Sequence, residues 1–138
     1  MTTKFTSLLA ATGLIATLGS VGTPAQAHHA FAAEFDANKP IELRGKITRL
    51  QWTNPHSWIH IAVTDEDGDV TNWAVEFGAP YSLLQKGLRR IDFELGTEVV
   101  VNGFLAKSGE PVLNASNVTL PDGRDFLTAA EDSPGVGN

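Results

Sequence analysis

The chain is expected to adopt a mostly β fold, a small OB-like five-stranded barrel with one short helix between strands three and four. Three observations predict it. Apolar and polar residues alternate with period two over several segments, a glycine-bearing acidic loop joins two of them, and one short helical pattern interrupts the series. An open β-sandwich is the alternative architecture.

The first strand opens at Ile41. Ile41, Leu43, Gly45 and Ile47 share one face and Glu42, Arg44, Lys46 and Thr48 the other, after which Leu50 and Trp52 fall out of phase. A slip of this kind predicts a β-bulge near Thr48 or Arg49, with Gly45 permitting a bend. A second strand covers about His56 to Thr64, with Ile59, Ile61 and Val63 inward. The third covers about Asp69 to Phe77, with Trp73, Val75 and Phe77 inward. If Ile61 faces Trp73, Asp65 pairs with Asp69 and the loop is Glu66-Asp67-Gly68, a hairpin that favours a left-handed glycine. The acidic loop is rich in hard oxygen donors for calcium, but it lacks EF-hand spacing and the distal Glu, so a solvated turn is expected. Pro80 or Ala79 opens a short helix, Tyr81 to Leu88, with Leu83, Leu84 and Leu88 on one face. Strands over Thr97 to Ala106 and Val112 to Leu120 follow, then a short one around Arg124 to Leu127.

The 138 residues are enough for one domain. Residues 1–27 read as a signal peptide: Lys4 supplies a positive start, an apolar stretch runs from Phe5 to Val21, and Ala25-Gln26-Ala27 is a cleavage signature. Its removal leaves 111 residues and takes the formal charge from −6 to −7. An N-terminal segment, 28–40, then precedes the β domain, 41–127, and a disordered tail, 128–138, ends the chain. The expected localisation is periplasmic, with no membrane association once the leader is gone. The acidic balance argues against nucleic acid as a partner. The absence of cysteine excludes disulfides and thiolate chemistry.

Histidine carries the chemistry that the sequence offers. Cleavage after Ala27 makes His28 the first residue, followed by His29, and an N-terminal His chelates a metal through its α-amine and ring Nδ1. His56 is a candidate third ligand for a copper-type ion. The bland alternative is a flexible terminus that happens to begin with two polar residues. A second cluster lies in Trp52-Thr53-Asn54-Pro55-His56-Ser57-Trp58-Ile59-His60, where His56, Trp58 and His60 share the face opposite the core. His56 and His60 are about 13 Å apart along a strand, too far to hold one ion. Glu76 falls opposite Trp58 and diagonal to both histidines, so one His can meet it. These four residues form a candidate ligand platform or an ordinary amphipathic face. His28 reaches His56 only if 30–40 folds back, with Phe31 and Phe35 anchoring the return as one helical turn. Arg89-Arg90 offers an anion grip, although an exposed basic pair is more often simply solvated. No serine elbow, phosphate loop or dinucleotide fingerprint is present. Asn114-Ala115-Ser116 and Asn117-Val118-Thr119 match glycosylation acceptors only as a short and common pattern.

His28-His29-Ala30-Phe31, Trp52-Thr53-Asn54-Pro55-His56-Ser57-Trp58, Asn72-Trp73-Ala74-Val75-Glu76 and Leu120-Pro121-Asp122-Gly123-Arg124 together resemble one family. It comprises small exported bacterial proteins catalogued as domain of unknown function 6152. The resemblance implies export from a bacterial cell and carries over no catalytic residue.

The expected function is a periplasmic binding module, with copper or a similar metal as its cofactor through His28, aided by His29 or His56. The alternative is a non-metal module that meets a protein, peptide or saccharide through the His56-Trp58-His60 face. A copper-dependent oxidative enzyme is a minor third reading, and a hydrolase finds no matched nucleophile and base.

Overall fold

The computed structural model describes residues 31–129, so the expected leader, His28, His29 and the chain beyond Ala129 lie outside it. Among the described residues six strands form, β1 (Phe35–Gln51), β2 (Ser57–Thr64), β3 (Val70–Phe77), β4 (Glu98–Ala106), β5 (Val112–Thr119) and β6 (Asp125–Leu127). The short helix α1 (Pro80–Gln85) and a 3-10 turn (Arg90–Asp92) lie between β3 and β4. β1 pairs with both β2 and β4, β2 with β3, and β4 with β5, all antiparallel. A parallel pairing of β3 with β5 closes these five into a ring, and β6 extends from β5. This is the mostly β, OB-like order with one helix after the third strand.

The ring closes because β1 is long enough to serve two neighbours. Its register against β2 shifts between Ile47 and Arg49, where the phase of the apolar residues slips. The bulge lets the strand coil on while Leu50 and Trp52 still pack against the interior. The strand also starts earlier than Ile41. Phe35 pairs with Ala106 and Pro40 with Phe104, with an irregularity between them. Within the ring, Ile47, Ile59, Ile61, Val75, Phe77, Val99, Val101, Leu113 and Val118 make the core.

The β2–β3 register places Ile61 against Trp73 and Trp58 against Glu76, as the alternation requires. Gly68 sits at φ 90° in the hairpin and its N–H donates to the Asp65 carbonyl at 3.1 Å. α1 is shorter than the expected Tyr81–Leu88. Gly87, at φ 86°, terminates it, with Leu88 N–H bonding to the Leu83 carbonyl at 3.0 Å and Gly87 N–H to that of Leu84 at 3.0 Å. This pair of bonds ends a helix with an apolar contact across the cap, here between buried Leu83 and Leu88. Leu84, placed on the same face by periodicity, is instead exposed. The early end of the helix explains it, because a single turn buries only one narrow stripe.

Residues 128 and 129 do not belong to a disordered tail. Thr128 and Ala129 are buried, and the Thr128 carbonyl accepts from Gly78 N–H at 2.8 Å while Thr128 N–H donates to Ser116 at 2.9 Å. No helix among the described residues is long and apolar enough to cross a membrane.

Candidate functional site

Four strands contribute one residue each to a row across the outside of the ring. Trp58 on β2 pairs with Glu76 on β3, Glu76 with Asn114 on β5, and Asn114 with Phe104 on β4. Neighbours in β2, β3 and β5, namely Ile59, Val75, Phe77 and Leu113, point into the core, so strand alternation sends this row outward. An outward carboxylate ordinarily meets water. Glu76 does not, because its side chain is only 7% exposed.

The segment ahead of β1 packs onto the Phe104 end of this row, and the Glu34 charge on it acts on Glu76. Residues 31–34 form a helical turn, and Phe31 and Phe35 are buried with ring centroids 5.6 Å apart. Phe31 meets Phe104 edge-on at 5.7 Å. Lys107 fixes the same turn from β4's end, its N–H donating to the Glu34 carbonyl at 2.8 Å and its ammonium to that of Ala32. Phe31 and Phe35 thus hold residues 31–35 against the ring, the fold-back that the sequence posed only as a condition.

Further along the row, Glu76 holds His56. His56 Nδ1 is hydrogen-bonded to Glu76 Oε1, and Asn114 Nδ2 donates to Oε2 at 3.3 Å. Burial pushes the Glu76 carboxyl above its ordinary range and the nearby Glu34 charge adds to that, while His56 and Asn114 pull the other way. The His56 side chain is 34% exposed, and among the described residues its Nε2 has no hydrogen-bond partner. A neutral imidazole that donates through Nδ1 carries its lone pair on Nε2. With the proton on Nδ1, the Glu76 contact orients the ring and leaves Nε2 as a nitrogen donor for a ligand.

His60 takes no part in this contact. It lies across from Arg49 on β1 and from Ala74 on β3, and burial, then the Arg49 charge, lowers its pKa. Trp58 borders a pocket of about 300 Å³ whose other walls include Glu34, Lys107, Glu110 and Val112. Of the four platform residues, three therefore gather and His60 stands apart. Among the described residues, no three His, Asp or Glu side chains are grouped to hold a metal ion.

Sequence reasoning names Asn114 only within a glycosylation-like pattern and gives it no place in this site. Its role depends on a parallel pairing between distant strands, and the only sequence signal is a polar residue inside the alternation of Val112 to Leu120. Arg89 and Arg90 also separate. Arg89 bonds Asp92 through its backbone N–H at 2.8 Å, with Nε 3.5 Å from the carboxylate, whereas Arg90 has no carboxylate partner among the described residues.

The model of a family of unknown function, DUF6152, matches residues 16–113. The chain belongs to that family. The match takes in the Trp52–Trp58 block, the Asn72–Glu76 block and the N-terminal histidines, and stops short of Leu120–Arg124. No curated protein matches the chain.

Proposed function

We propose that the protein is an exported, periplasmic binding module that holds a copper-type ion at His56, completed by the N-terminal His28 and aided by His29. The carrying observation is the His56–Glu76–Asn114 chain of hydrogen bonds. Metal-binding histidines characteristically give their second ring N–H to a carboxylate, which fixes the tautomer and raises ligand basicity. Burying Glu76 is costly for stability, and orienting His56 gives that cost a purpose. Glu76 in this reading steadies the ligand and does not itself bind the ion.

His56 alone is a weak site, so the remaining donors must come from elsewhere. The buried Phe31 lies three residues after His28, a span of at most about 10 Å of chain. A cut after Ala27 would supply an α-amine and an imidazole within that reach, and the leader-like pattern of residues 1–27 supports both the cut and export.

Copper titration of the processed protein tests this reading, with mass spectrometry fixing its first residue. Tight binding of one ion is expected, lost in H28A and H56A and weakened about 10- to 100-fold in E76Q. Unchanged affinity in H56A would end the proposal. The pocket beside Trp58 favours a second reading, a module for a peptide or saccharide partner stacked on that ring. Partner capture that survives metal chelation and fails in W58A would favour it.

A further inference from the structure

A second concavity lies away from the His56 site, between the bulged part of β1 and the 3-10 turn. Its volume is about 680 Å³, within the range of small-molecule sites. The bulge makes it. The Ile47 carbonyl accepts from Gly96 N–H at 2.7 Å and Ile47 N–H donates to Thr97 at 2.9 Å, and past that point β1 turns away from β4. Leu50 and Phe93 line the cavity from the interior side. Ile91 and Leu95 line it from the solvent side and remain 67% and 68% exposed, an unusual state for two large aliphatic side chains facing one space.

The charges on the walls point to a ligand class. Arg49 and Arg90 both line the cavity, and neither guanidinium has a carboxylate partner among the described residues. Glu94 is the one carboxylate among the lining residues, so the wall is net positive on a chain of formal charge −6. Arg44, Arg89 and Arg124, by contrast, are all committed to acidic side chains. Arginine forks hydrogen-bond carboxylate, phosphate or sulfate groups well, and an apolar wall beside them selects a ligand with an apolar body.

We infer that this cavity is a second binding site, for a small amphipathic anion. Its apolar body would pack on Leu50, Phe93, Ile91 and Leu95, and its head would lie between Arg49 and Arg90. The site is independent of the metal reading, since the two share no residue.

Trp52, whose ring centroid is 6.0 Å from that of Phe93, gives a fluorescence signal for the test. The full processed chain is titrated with decanoate below its micelle concentration, with decanol and with decyltrimethylammonium. Saturable binding of decanoate is expected, about tenfold or more tighter than that of decanol, with the cation weakest. R49Q and R90Q should each weaken decanoate about tenfold and leave decanol unchanged, R90K should recover part of the loss, and R44Q should change nothing. Equal affinity for decanoate and decanol would overturn the proposal, as would undiminished decanoate binding in R49Q and R90Q together. So would binding confined to phosphatidylglycerol vesicles, which would make the patch a membrane contact.

Discussion

Glu76 is the residue on which the candidate site turns, and its protonation has a thermodynamic consequence. Burial raises its pKa in the folded state, so the folded protein holds this proton more tightly than the unfolded chain does. The stabilising contribution of the protonated carboxyl is complete below the ordinary Glu value of 4.5 and is lost as pH rises through the raised folded-state value. Thermal melts across the acid range should therefore show stability falling through that window, and E76Q should remove this component. A pH profile unchanged by E76Q would mean that the carboxyl is not held as described. His60 works in the opposite sense. Its pKa is lowered by burial and by Arg49, so its contribution is present above 6.5 and is lost as pH falls from there. The two slopes are separable by H60Q, which should flatten only the part near His60's own titration. At this scale the sequence was partly legible. The pairing of Trp58 with Glu76 follows from counting outward from Ile61 and Trp73 on a two-residue period. The choice of His56 over His60 does not follow, because both are diagonal to Glu76 in the strand register.

Elements are joined by contacts that local periodicity does not report. The 3-10 turn is held by Asp92, whose side chain is 4% exposed and accepts from Arg89 N–H at 2.8 Å and from the Arg124 guanidinium at 3.0 Å. Burial alone would raise the Asp92 carboxyl, but these hydrogen bonds more than offset it and hold the pKa low. Arg124 also bonds Asp122 at 2.8 Å and lies over the Phe126 ring at 5.4 Å, so the β5–β6 hairpin and the 3-10 turn share one ionic knot. D92A should cost about 2 kcal/mol in denaturant unfolding, the size expected for losing charge-assisted bonds to a shielded group. Its contribution should be present above the ordinary Asp value and vanish as pH falls through the lowered one. The Leu120–Arg124 block thus has a structural account: it is a turn whose arginine reaches across to another element. Helix α1 teaches a related lesson. Its start at Pro80 was readable, and its end was not, because Gly87 in the left-handed region closes the cap while keeping Leu88 in apolar register. G87A should cost about 1–2 kcal/mol for the same reason.

At the scale of the whole molecule, two closures decide what the protein can do. One is the ring, sealed where β3 runs parallel to β5. The strand count and the helix position anticipate it, but the register that sets Glu76 beside Asn114 depends on chain connectivity over 38 residues and has no local signature. The other is the N-terminal turn folding back over the outer row. Two phenylalanines at helical spacing made this readable as a possibility, and the Phe31–Phe104 contact makes it a packing interaction with its own free energy. Because Phe31 and Phe35 lie outside the main core cluster, the turn is expected to open as a local unit without unfolding the ring. F31A removes the largest part of its cover and should lower the local stability of 31–40 by about 2–4 kcal/mol. Hydrogen exchange should then accelerate there while Ile59, Ile61 and Val75 stay protected. If His28 and His56 share one ion, releasing the turn separates them by the freedom of a loose chain, and copper affinity should fall at least about tenfold in F31A even though the fold survives. Copper added at saturation should reverse the exchange effect, because an ion bound to both ends pulls the open turn shut by mass action. An F31A protein with an opened terminus and undiminished copper affinity would separate the fold-back from the metal site.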